Sequence, residues 1–201
     1  STLFRRTLLT GMAALTYTLS CHAGSWERIH PLTGVWGLHI SQQGTLLASS
    51  YTADASDGIY WSDDQGATWT RADVADHNYT AFFETGDYIF ALGYGCYMAR
   101  SADGGHTWTV IDYRDMMNGI ISPSDLDYTA CYAMTERDGV IYAADFAGGV
   151  IYSEDMGETW KHTEDSFFMV DNGGKGQTHQ VLYNIDSIND RILAFGLYEV
   201  Y

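Results

Sequence analysis

Three aspartates pose the first chemical question: Asp64, Asp103 and Asp155 each stand third in a stretch reading Ser-x-Asp-x-Gly-x-Thr-Trp. A loop carboxylate can shuttle a proton or hold a cation. The same carboxylate recurring with the same neighbours fits a different task. A short Asp side chain satisfies backbone amides inside a tight turn, and a glycine two residues later permits positive φ. Ser62, Asp64, Gly66 and Trp69, then Ser101, Asp103, Gly105 and Trp108, then Ser153, Asp155, Gly157 and Trp160 are therefore expected to be structural. The glycines lock the turns and the tryptophans bury between sheets.

A second set is aromatic. Each unit carries an alanine after two apolar residues, at Ala48, Ala91, Ala143 and Ala194, and three residues later come Tyr51, Tyr94, Phe146 and Leu197, with Tyr198 beside the last. Rings at equivalent positions serve either as stacking platforms for sugars or as covers for the ends of a packed interface. Other signals are weaker. Asp54-Ala55-Ser56-Asp57-Gly58 offers oxygens to Ca²⁺ but lacks the ligand count of a recognised loop. Gly173 to Thr178 lacks the spacing of a phosphate loop, and the seven histidines lack metal-ligand spacing. No cofactor or metal is called for.

The elements that must position these residues follow from the repeat. Its copies begin 39 and then 52 residues apart, near the roughly 40 to 50 residues of a propeller blade. Leu46-Leu47-Ala48, Ile89-Phe90-Ala91 and Ile141-Tyr142-Ala143 align, and Arg191 to Ala194 starts a fourth unit. Upstream, Tyr79-Thr80-Ala81-Phe82-Phe83 is matched to Tyr128-Thr129-Ala130-Cys131-Tyr132. Each unit reads as about four short strands parted by polar turns. A lone four-stranded sheet cannot cover both faces, whereas blades around an axis can. The expected fold is all-β, a β-propeller with blades at about 32–73, 78–113, 127–163 and, incompletely, 179–201. Ser25 to Arg28 resembles the strand after each repeated turn and is expected to supply the outer strand of a closing blade. With the chain stopping short of a fourth turn, a fragment of a longer propeller is expected.

Up-and-down strands a to d put the a-b and c-d turns on one end and the b-c and d-a loops on the other. The repeated turns thus point away from the end where propellers usually bind. The d-a loops Asp112 to Asp127 and His162 to Gln177 are the expected seat of specificity.

The repeated motif resembles the Asp box of bacterial sialidases and of many other β-propellers, among them those that help assemble photosystem complexes. Residues 28–69 also resemble the sialidase order: Arg28-Ile29-His30-Pro31, then Gly44-Thr45-Leu46-Leu47-Ala48, then Asp54 and Asp57, then the first box. That resemblance implies a carboxylate-gripping arginine at Arg28, with Arg114 near the same face, and acid-base work at Asp54 or Asp57. His30 interrupts the first motif, and no arginine follows the strand.

The first 23 residues, with Arg5 and Arg6 ahead of an apolar stretch and then Cys21-His22-Ala23, have the layout of an export signal. Thr18 to Cys21 looks like a lipoprotein box, the one route by which a membrane would be engaged. The mature domain is expected outside the cytoplasm, where Cys96 and Cys131 either pair or sit as small buried residues. Ten cationic residues against 26 acidic ones give a net charge of −16, which argues against nucleic acid and anionic membranes. The sequence points to binding or hydrolysis of extracellular glycans, with a non-catalytic scaffold for protein partners as the alternative.

Overall fold

The computed structural model describes residues 34–50, 58–75, 77–147, 149–163, 169–171, 177–179 and 181–196. They form three four-stranded antiparallel sheets and two hairpins, each sheet ordered as its strands occur in the chain. The first sheet holds β1 (Val35–Ile40), β2 (Leu46–Ser50), β3 (Gly58–Ser62) and β4 (Thr70–Arg71). The second holds β5 (Tyr79–Thr85), β6 (Tyr88–Gly93), β7 (Tyr97–Ser101) and β8 (Thr109–Asp112). The third holds β9 (Cys131–Arg137), β10 (Val140–Asp145), β11 (Gly149–Ser153) and β12 (Lys161–His162). A hairpin of β13 (Met169–Asp171) and β14 (Gln177–His179) lies inside the second long d-a loop. The pair β15 (Leu182–Ile188) and β16 (Arg191–Gly196) repeats the first two strands of a blade. Between the second and third sheets the connection forms a single helical turn, α1 (Arg114–Met117), and a 3-10 turn at Asp125–Asp127.

Sequence explains the layering. The second strands β2, β6 and β10 are almost wholly buried because a neighbouring sheet covers each face, so they read as apolar runs rather than as an alternation. The first strands β1, β5, β9 and β15 pack against one another in succession, which makes them innermost. Leu47, Ile59, Tyr79, Ile89 and Trp108 fill the seam between the first two sheets. Phe90, Leu92, Met98, Met134 and Ile141 fill the next, and Ala144, Val150, Leu182 and Ile185 the third. Each such fully buried large side chain contributes about 1.5–3 kcal/mol.

One alignment drawn from sequence shifts by three residues. Tyr79 lies opposite Gly93, and its structural counterpart opposite Asp145 is Cys131, not Tyr128. The tripeptide Tyr-Thr-Ala occurs in both places but is used differently. Tyr128 ends the 3-10 turn and is exposed, and the Thr129 hydroxyl is spent on the Asp145 carboxylate. Cys96 and Cys131 are both buried and free, Cys131 in a strand and Cys96 in a turn at φ 63°.

Candidate functional site

The two ends of the sheets are built from different materials. At one end stand the repeated turns. In each, the serine hydroxyl donates to the aspartate at 2.7–2.8 Å and accepts the amide of the following glycine at 2.8–2.9 Å. The aspartate's two oxygens then accept the amide and hydroxyl of the threonine, at 2.8–2.9 and 2.6 Å. The Thr68 and Thr159 bonds hold Asp64 and Asp155 down at about 2. At Asp103 burial pushes upward, and the donors Thr107, Ser101 and His106 together outweigh it, leaving about 2 there as well. These carboxylates have their lone pairs committed. Trp69 and Trp108 donate their indole N–H to the turn glycine's carbonyl, whereas Trp160's is buried without a partner, a difference nothing in the structure explains. Trp108 is fully packed, while Trp69 and Trp160 are only half-buried.

Glycine at the fifth position of the turn is required twice over. Gly105 and Gly157 have φ of 99° and 83°. A Cβ on Gly105 would stand 2.4 Å from Leu47, and one on Gly157 would stand 2.5 Å from Phe90, the matching residue of the preceding sheet. The turn is thus also a seam contact.

At the other end, every inner strand slips its register at the same place. The pairing jumps between Val35 and Gly37, Tyr79 and Ala81, Cys131 and Ala133, and Leu182 and Asn184. A bulge leaves one residue unpaired and re-aims its side chain. Those residues are Trp36, Thr80, Tyr132 and Tyr183, three of them aromatic. Trp36 is 56% exposed and Tyr183 43%.

The bulge residues meet the aromatics of the b-c loops. Tyr94 stands edge-on to Tyr132 with ring centroids 6.1 Å apart, and the two hydroxyls share a hydrogen bond of 2.9 Å. One blade further, Phe146 stands edge-on to Tyr183 at 5.7 Å. Tyr132 also touches Phe146 and Tyr183, so four rings form one cluster at the axial end of the loop face. Burial, then the bond with Tyr94, raise the Tyr132 phenol well above its usual range, so it stays protonated.

Beneath the cluster lies Asp145, wholly buried at the last position of β10. Tyr113 donates to one of its oxygens at 2.9 Å, while the Thr129 hydroxyl and the Ala147 amide donate to the other. Three donors make it an accepting carboxylate. They come from both ends of the d-a connection and from the b-c loop, so the charge ties these loops to the rigid sheet. Burial first and this charge second push Tyr113 and Cys131 far up and Cys96 to about 12.

Of the residues singled out in the sequence, Arg28, Tyr51, Asp54, Asp57 and Tyr198 lie outside the described residues. The export-signal segment and the closing strand at Ser25 to Arg28 do so too. Arg114 is on the loop face, but its guanidinium is held by Asp127 at 2.8 Å and by the Gly95 carbonyl at 3.1 Å, and it lies over the Tyr97 ring. Tyr94 and Phe146 fall together at the mouth. Tyr132, Tyr183 and Trp36 were missed because a bulge inserts a residue without changing composition. Aligning the inner strands through β2, β6, β10 and β16 would have stacked them in one column. Among the described residues no helix is long and apolar enough to cross a membrane.

No protein-family model and no curated protein sequence matches the chain. Solved structures do. YCF48 bound to a D1 peptide is similar at TM-score 0.54 and 16% identity, over 83% of this chain and 48% of that one. Virginiamycin B lyase from Staphylococcus aureus is similar at TM-score 0.51 and 13% identity, over 84% and 55%. The extracellular domain of BT4673 from B. thetaiotaomicron gives TM-score 0.54 and 8% identity, over 83% and 21%. The chain spans about half the length of the first two and a fifth of the third. At these identities the likeness is one of fold, and with the sheet order and the inner strands it makes the chain an all-β propeller, described here as three blades and the inner pair of a fourth.

Proposed function

We propose that this propeller is a non-catalytic binding scaffold that takes an extended protein segment at the loop-face mouth. The observation carrying this reading is the bulge repeated in all four inner strands, which brings Tyr132 and Tyr183 against Tyr94 and Phe146 at the mouth. Loops and bulges on a rigid sheet are where propellers afford recognition. Three of the four ring contacts in the cluster are edge-on, so ring rims and tyrosine hydroxyls stand beside the exposed ring of Tyr183. Such a mixed apolar and hydrogen-bonding surface suits peptide groups better than the flat stacking of sugar rings. Hydrolysis has weaker support: the one described candidate, Arg114, is committed to Asp127. That YCF48 was solved with a peptide is in keeping with this reading.

The test is a random dodecapeptide display library and a glycan array, each screened with the wild type and with Tyr183→Leu. Peptides retained by the wild type and lost by the variant are expected. Glycans lost by the variant would replace the protein segment with a sugar, and binders indifferent to the substitution would remove the mouth as the site.

A further inference from the structure

The charge around the mouth selects among protein segments. By chain topology the loop face carries Asp73, Asp112, Asp115, Asp125 and Asp127, all exposed, and buried Asp145. Among the described residues two arginines stand against them. Arg114 is paired with Asp127, and the Arg71 guanidinium packs against Gly58. The aromatic cluster adds a second reason. Tyrosine and phenylalanine rings attract a cation to their faces, more strongly where water is partly excluded. This chain uses that contact for its own cations: Arg100 lies over Tyr88, Arg114 over Tyr97 and Lys161 over Tyr152. Among the described residues no lysine or arginine lies over Tyr94, Tyr132, Phe146 or Tyr183. The buried Asp145 carboxylate adds a negative charge beneath the cluster.

Resting on the protein-segment reading, we infer that the mouth takes a basic side chain, lysine or arginine, of the bound segment and seats it against the exposed ring of Tyr183 beside Tyr132 and Phe146. The aliphatic stem of that side chain covers the ring edges while its charged head faces the acidic rim. The net charge of −16 draws such a segment in at long range, and the aromatic seat gives it a fixed register.

The experiment starts from the dodecapeptides selected on the wild type and counter-selected on Tyr183→Leu. They are expected to carry net positive charge with a lysine or arginine at a recurring position. Replacing that residue by the neutral citrulline or norleucine should weaken binding about tenfold, Tyr183→Phe should keep the full affinity, and Tyr183→Leu should erase the difference between basic and neutral peptides. Neutral or acidic Tyr183-dependent peptides would overturn the inference and leave the protein-segment reading standing. A preference for basic peptides that survives in Tyr183→Leu would overturn it too, assigning the effect to the acidic surface at large. If no peptide depends on Tyr183, both fall. Melting temperatures of the two variants, expected to match the wild type, show that lost binding is not lost folding.

Discussion

The seam between the first and second blades and the seam between the second and third are the same joint made with different chemistry. In both, a turn glycine presses on the second strand of the preceding blade, Gly105 on Leu47 and Gly157 on Phe90. In both, the residue after that glycine reaches back across the gap. At the first seam it is His106, which bonds Asp63 at 2.9 Å and packs edge-on against Trp61. At the second it is Glu158, which pairs with Arg100, the residue equivalent to Trp61, while Arg100 also donates to the Met156 carbonyl at 2.7 Å. A second imidazole, His39, bonds Glu84 at 2.7 Å across the inner edge of the first seam. The turn backbone fixes which positions meet, and the side chains placed there decide how the joint responds to its surroundings.

The largest effects should come from what the seams share. Gly105→Ala and Gly157→Ala each force a side chain into positive φ and into a packed neighbour, for an expected loss of about 2–5 kcal/mol by denaturant unfolding. Gly44→Ala, with a φ of 96° but open space around it, should lose only about 1 kcal/mol. Equal losses at all three would mean that the backbone conformation, not the contact with the preceding blade, is what the turn glycine serves.

Next come the polar ties. Arg100→Met keeps the aliphatic packing and leaves the Met156 carbonyl without its donor, so it should lower stability by about 1–2 kcal/mol. A value near zero would reduce the second seam to its apolar contacts.

The smallest effect distinguishes the seams by pH. The bond to Asp63 raises His106 above its ordinary 6.5, and His106 in turn lowers Asp63 below its ordinary 3.8. The stabilisation from Asp63 is present above 3.8 and fades as pH falls through its lowered value. That from His106 is complete below 6.5 and fades as pH rises through its raised value. The first seam therefore loosens over the range from about pH 6.5 upward, while arginine keeps its charge at the second. His106→Gln should shrink the difference in melting temperature across that range, and an unchanged difference would place the pH response elsewhere.

The turns were legible in their short acceptor and glycine, and the Ser-Asp-Thr hydrogen bonds recur in all three, whereas the tryptophans differ, Trp108 packed and Trp69 and Trp160 half-buried. The second strands were legible as apolar runs. Those two landmarks were enough to bring Tyr94 and Phe146 to the same end of the blades. The inner strands were not legible in register. Tyr128-Thr129-Ala130 copies Tyr79-Thr80-Ala81 letter for letter, yet in the long connection the Thr129 hydroxyl goes to Asp145 and the strand starts only at Cys131. The bulges at Tyr132 and Tyr183 were hidden for a related reason, since pairing register is a property of two strands and each had been read alone. Asp145 looked like an ordinary acidic residue at a strand end. Its burial depends on Tyr113 and Thr129, which the fold brings from 32 and 16 residues away in sequence.

On the proposed reading the two ends of the blades divide the work, the turn end holding the fold and the bulged end binding. The most direct test of that division is the affinity of a Tyr183-dependent peptide for Asp103→Ala, measured well below that variant's melting temperature. Stability reduced by about 1–2 kcal/mol, with affinity within about twofold of the wild type, is the predicted result. Lost binding with unchanged stability would put the ligand at the turns and contradict the account.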